Sequence, residues 1–131
     1  MTALNKILLV DDEPDIGTLC TLVLETVGGY QVKTCISGRE ALDCIGSFAP
    51  DLIMLDVMMP EMDGPSTLSK LRDLPAGAGV PVIFFTAKTQ ESDLRQLRQT
   101  SALGILSKPF DPMKLADDVK SIWEQHNAEL Q

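Results

Sequence analysis

The strongest constraint on this chain is a repeated pattern: short apolar runs, each closed by a polar or charged residue, with amphipathic stretches between them. Ile7–Val10 runs into Asp11 and Asp12, Leu52–Leu55 into Asp56, Val82–Phe85 into Thr86, and Gly104–Leu106 into Ser107 and Lys108. Apolar runs this short, without polar alternation, suit strands buried on both faces. Gln31–Cys35 reads as a further, weaker strand.

The intervening stretches carry helical spacing. Within Asp15–Val27, the residues Ile16, Leu19, Cys20, Val23, Leu24 and Val27 share one helical face, and Gly28-Gly29 ends it. Ser37-Gly38-Arg39-Glu40 has the form of a capping box ahead of a helix that turns Leu42, Ile45 and Phe48 inward. Asp63-Gly64 marks a turn, and Pro65 suits the first position of a helix using Leu68 and Leu71. Glu91–Thr100 is polar apart from Leu94 and Leu97. Asp111 can cap a last helix with Leu115, Val119 and Ile122 inward.

Five βα units follow, which predicts an α/β fold: a parallel sheet with helices on both faces and right-handed crossovers. In such sheets ligands gather beyond the carboxyl ends of the strands, where the strand order reverses. Asp11, Asp12, Asp56, Thr86 and Lys108 therefore converge on one rim. Three carboxylates there repel unless a cation joins them. Mg2+ is the economical choice, because it takes one or two carboxylates plus phosphate oxygens and water, whereas calcium sites usually supply more protein oxygens. An Asp can also act as nucleophile on phosphorus, in a transfer that is mostly positioning and charge neutralisation. Lys108 offers a point charge, Thr86 a hydroxyl donor, and Ala87 a backbone N–H.

Composition narrows the functional classes. The 131 residues suit one domain, taken as 1–131. Nineteen acidic against eleven basic residues give a net charge of -8, which disfavours nucleic-acid binding. "MTALNK" runs directly into the first strand, and no apolar run could span a bilayer, so a cytoplasmic protein is expected. Cys20, Cys35 and Cys44 form no close Cys-x-x-Cys pair and read as free thiols. His126 is the only histidine, so no zinc site is expected.

"ILLVDDEP", "DLIMLDVMMPEMDG", "VIFFTA" and "ILSKPF" occur in that order, and together they resemble the receiver domain of two-component response regulators. The resemblance covers essentially the whole chain. It implies a flavodoxin-like (βα)5 sandwich with strand order 2-1-3-4-5. It implies a phosphorylation-dependent signalling switch, with Asp56 as phosphoacceptor. Asp12, Asp56 and the Met58 carbonyl would bind Mg2+ directly, and Asp11 would hold a metal-bound water. Thr86 would be the switch hydroxyl, with the Ala87 N–H beside it, and Lys108, ahead of a cis bond to Pro109, the phosphate partner. The phosphoryl donor would be a sensor histidine kinase or a histidine phosphotransfer protein. An unidentified downstream effector would read the surface of the fourth helix, fifth strand and last helix. The same resemblance admits a homodimer through that face. It implies no membrane contact, no output domain in this chain, and no enzyme activity beyond the domain's own Mg2+-dependent phosphorylation and dephosphorylation. Met58 and Lys88 would flank the path of hydrolytic water.

Two residues depart from the family pattern. Ile105 stands where an aromatic is usual, and reads as a buried aliphatic. Ser101 stands where Gly is common, which is expected to strain or reshape the turn into the fifth strand. These departures keep alive a second class, an interaction module that is not phosphorylated. A third class, a phosphatase resembling haloacid dehalogenases, would need an acid two residues after the nucleophile, where this chain has Met58. Ile16, near the rim, is open between a core position and a docking position for a partner helix.

Overall fold

A computed structural model describes residues 3–87 and 90–129. Five strands and five helices alternate: β1 Lys6–Val10, α1 Pro14–Thr26, β2 Gln31–Cys35, α2 Gly38–Phe48, β3 Leu52–Asp56, α3 Gly64–Arg72, β4 Val82–Thr86, α4 Glu91–Arg98, β5 Gly104–Ser107 and α5 Leu115–Glu129. The strands form one parallel sheet in the order β2-β1-β3-β4-β5, the order the resemblance implies.

Successive strand residues point to opposite faces, so each apolar run feeds two cores. Leu8, Val10, Ile53, Leu55, Val82 and Phe84 face one layer, closed by Ala41 and Ile45 of α2, Leu68 and Leu71 of α3, and Leu97 of α4. Ile7, Leu9, Leu52, Met54, Ile83 and Phe85 face the other, closed by Cys20 and Leu24 of α1 and by Leu115, Val119 and Trp123 of α5. The three central strands are almost wholly buried, while the edge strands β2 and β5 are much more exposed.

Helix boundaries follow local chemistry. The Ser37 hydroxyl accepts from the Glu40 N–H, giving one half of the capping box. Asp63 accepts from the Ser66 N–H, so the helix begins at Gly64 and Pro65 takes its second position, not its first. Asp111 does not cap α5 directly; its carboxylate accepts from the Met113 N–H within a separate turn before the helix. Gly29, at φ 72, turns the chain after α1. Leu42, Phe48 and Ile105 pack against the first core but are only partly buried, Ile105 on the edge strand β5. Ser101 brings no backbone strain: the described non-glycine residues with positive φ are Ala49 and Glu61. The Ser101 hydroxyl instead accepts from Arg72 Nε at 3.0 Å, which ties the α4–β5 connection to the end of α3.

Candidate functional site

The sheet's register brings the first two acidic positions together. Val10 pairs with Leu55 across β1 and β3, so the next residues, Asp11 and Asp56, emerge side by side where the strand order reverses. Asp56 in turn pairs with Phe85, which places Thr86 and Ala87 just beyond it on β4. Lys108 is drawn to the same rim by its backbone N–H, which donates to the Thr86 carbonyl at 2.8 Å. The Lys108–Pro109 bond is cis.

Oxygens of Asp11, Asp12 and Asp56 all lie within 4.8 Å of one another. Opposite them stands the ammonium of Lys108, 2.9 Å from Asp11 Oδ2 and 3.4 Å from Asp56 Oδ1. The side chains of Asp11 and Asp56 are 1% and 4% exposed, so neither charge is relieved by bulk water. Asp11 Oδ1 accepts from the Glu13 N–H at 2.8 Å, and its own N–H donates to the Cys35 carbonyl at 3.0 Å. The Met58 N–H donates to Asp56 Oδ1 at 3.4 Å. Acid–backbone bonds of this kind hold the loops after β1 and β3 in place.

Electrostatics follow from this crowding. Burial pushes the Asp56 carboxyl up to about 7, Asp11's charge adds to that, and Lys108 and the Met58 N–H offset part of it. For Lys108, burial works against the charged form, but the bond to Asp11 and the charge of Asp56 outweigh it and raise the ammonium above its ordinary value. Among the described residues, three acids against one ammonium leave the pocket short of positive charge. The donor set is all oxygen, hard and anionic, and fits a hard divalent cation.

Several neighbours were not legible as site residues. Phe85 lies under Lys108, with Nζ 4.8 Å from the ring centroid; in sequence it is one more apolar residue of a buried strand. Glu13 contributes its backbone N–H, and its side chain makes no cap on α1. Thr86 is fully buried at the end of β4, whereas Met58 is exposed. Ile16 is partly buried. It packs partly against the second core, and with Leu19, Ala87, Lys108 and Phe110 it lines a groove of about 330 Å³ beside the site. Lys88 lies outside the described residues.

Residues 7–120 match the family described as response regulator receiver domain. The chain is 37% identical over 123 residues to response regulator Rre1 of Synechocystis sp., covering 94% of this chain and 53% of that protein; it thus spans about half that relative's length. It is 38% identical over 109 residues to an uncharacterized 14.6 kDa protein of Leptolyngbya boryana, covering 83% and 82% of the two chains. The crystallised Vibrio cholerae chemotaxis protein CheY4 superposes with a TM-score of 0.83 at 31% identity, covering 92% of this chain and 99% of that one. Among the described residues, no helix is long and apolar enough to cross a membrane.

Proposed function

Because the chain belongs to the response regulator receiver domain family, whose members are phosphorylation-dependent two-component switches, we propose that Asp56 accepts the phosphoryl group and that Asp11, Asp12, Asp56 and the Met58 carbonyl hold Mg2+. One observation carries this reading: three carboxylates within 4.8 Å of one another face the Lys108 ammonium, which lies 2.9 Å from Asp11 and 3.4 Å from Asp56. When bound, Mg2+ supplies the positive charge that keeps Asp56 ionised and offsets the charge of the phosphoryl oxygens.

The protein's own groups do the rest. Asp56 Oδ1 is engaged by Lys108 and the Met58 N–H, which leaves Oδ2 as the nucleophile. A new O–P bond forms as the donor's bond to phosphorus breaks, and the electron pair of that bond leaves with the donor. The product carries about -1.5 to -2 charge where Asp56 carried one. Lys108 shifts from Asp11 towards the added oxygens, and the Thr86 hydroxyl and Ala87 N–H donate to them. Those displacements act on the segment after β4 and on the α4–β5–α5 surface. In dephosphorylation a water oxygen attacks phosphorus, the bond to Asp56 breaks, the carboxylate is restored and inorganic phosphate leaves; flanking roles for Met58 and Lys88 belong to this reading too.

The donor is a sensor histidine kinase or a histidine phosphotransfer protein, which docks an apolar helix face on the groove beside Ile16. The reader of the altered surface is an effector protein, or a second copy of this chain. A net charge of -8 speaks against direct nucleic-acid contact; the reading also places the switch in the cytoplasm, without membrane attachment. Incubation with acetyl phosphate and Mg2+ should add a labile phosphoryl mass to the wild type and none to Asp56→Asn, with EDTA abolishing the gain. Equal labelling of the variant would overturn the assignment.

A further inference from the structure

We propose that Cys35 and Cys44 form a peroxide-oxidisable dithiol, a modification site that closes as a disulfide between β2 and α2. The two sulfurs lie 3.3 Å apart, with either able to donate to the other. Bond formation brings them to ~2.05 Å, a movement small enough for side-chain rotation to supply most of it. Cys35 is the last residue of β2 and is buried, whereas Cys44 lies on α2 and is partly exposed. The third cysteine, Cys20, is buried in the other core layer across the sheet, and so serves as an internal control.

The asymmetry in exposure orders the chemistry. Cys44 meets the oxidant first: its sulfur attacks one oxygen of hydrogen peroxide, the O–O bond breaks, and a sulfenic acid and one water result. Cys35, buried behind it with its sulfur 3.3 Å away, is placed as the resolving thiol. Cys35 sulfur then attacks Cys44 sulfur, the S–O bond breaks, the thiol proton leaves with the hydroxyl as a second water, and the S–S bond forms. The pair gives up two electrons and peroxide takes them. This chemistry is independent of Asp56. It sits next to the acidic rim all the same, because the Cys35 carbonyl accepts the Asp11 N–H at 3.0 Å.

The test is peroxide treatment of the folded protein, intact mass measurement, alkylation of remaining thiols in denaturant, and tryptic peptide mapping without reductant. The expected result is a monomer lighter by two hydrogen masses, with residues 34–39 joined to residues 40–70. Cys20, in residues 7–33, stays alkylatable. A thiol reductant should restore all three thiols, and the Asp11 amide resonance should move on oxidation. In Cys35→Ser, Cys44 should stop at a sulfenic acid trapped by dimedone; in Cys44→Ser, Cys35 should stay reduced. The wild-type map is decisive even where a variant folds poorly. No crosslink, a crosslink to Cys20, or only dimers between chains would each overturn the proposal.

Discussion

Lys108 and Asp11, ninety-seven positions apart in the chain, meet as a 2.9 Å ion pair with both side chains largely shielded from water. Asp11 therefore already has a cation before any metal arrives. In the proposed function Mg2+ competes with that ammonium for the same acid, so Lys108→Ala should bind Mg2+ more tightly, by about tenfold or ~1.4 kcal/mol. Titration calorimetry measures this directly. Unchanged or weaker binding would show that the ammonium and the metal do not share the pocket's charge.

Asp56 gives the metal-free protein a particular pH response. Its ordinary value is 3.8 and its folded value about 7. The unfolded chain therefore releases this proton at lower pH than the folded one does. The group's contribution to stability is intact below its unfolded value and is lost as pH rises towards its folded value. Asn cannot ionise, so in EDTA Asp56→Asn should track the wild type near about pH 4 and exceed its stability by about 2 kcal/mol above about pH 7. Denaturant unfolding across that range is the measurement, and parallel curves for the two proteins would refute the electrostatic account.

Gly64 holds the loop after Asp56 by having no side chain. A Cβ there would lie 2.6 Å from the Asp56 carbonyl oxygen and 2.9 Å from Val57 Cα. Gly64→Ala must push the loop away, at a cost of about 1–3 kcal/mol, and should also slow phosphoryl uptake. Gly79→Ala, whose Cβ would meet nothing within 4 Å, is the matched control. Thermal unfolding of both variants tests the contrast.

Arg72 bridges three pieces of chain. Its Nε donates to Ser101 Oγ at 3.0 Å, and its Nη1 to the carbonyls of Gly77 and Val80, each at 2.7 Å. Arg72→Ala removes the donor from two part-buried carbonyls and should cost about 2 kcal/mol. Ser101→Gly leaves those bonds intact and should cost no more than about 0.5–1 kcal/mol. Equal losses in urea unfolding would mean that the hydroxyl, not the carbonyls, anchors the connection.

Much of this protein was legible in the order of its residues. Strands buried on both faces must be apolar at consecutive positions, so Ile7–Val10, Leu52–Leu55 and Val82–Phe85 declared themselves, and helical spacing separated them. A polar residue closing a buried strand has to emerge at its end, which marked Asp11, Asp56, Thr86 and Lys108 as rim residues. Local order could not say what meets across the sheet. Only the register beside β3 puts Asp56 next to Asp11, and only the pairing of β4 with β5 brings Lys108 to both. The Phe85 ring under the ammonium, the bond from Arg72 to Ser101, and the contact between Cys35 and Cys44 sulfurs also depend on tertiary packing. Backbone propensity and hydrophobic period act over a few residues, whereas charge–charge distances and burial are set by which distant segments pack together; the first kind of information is written along the chain, and the second exists only once it has folded.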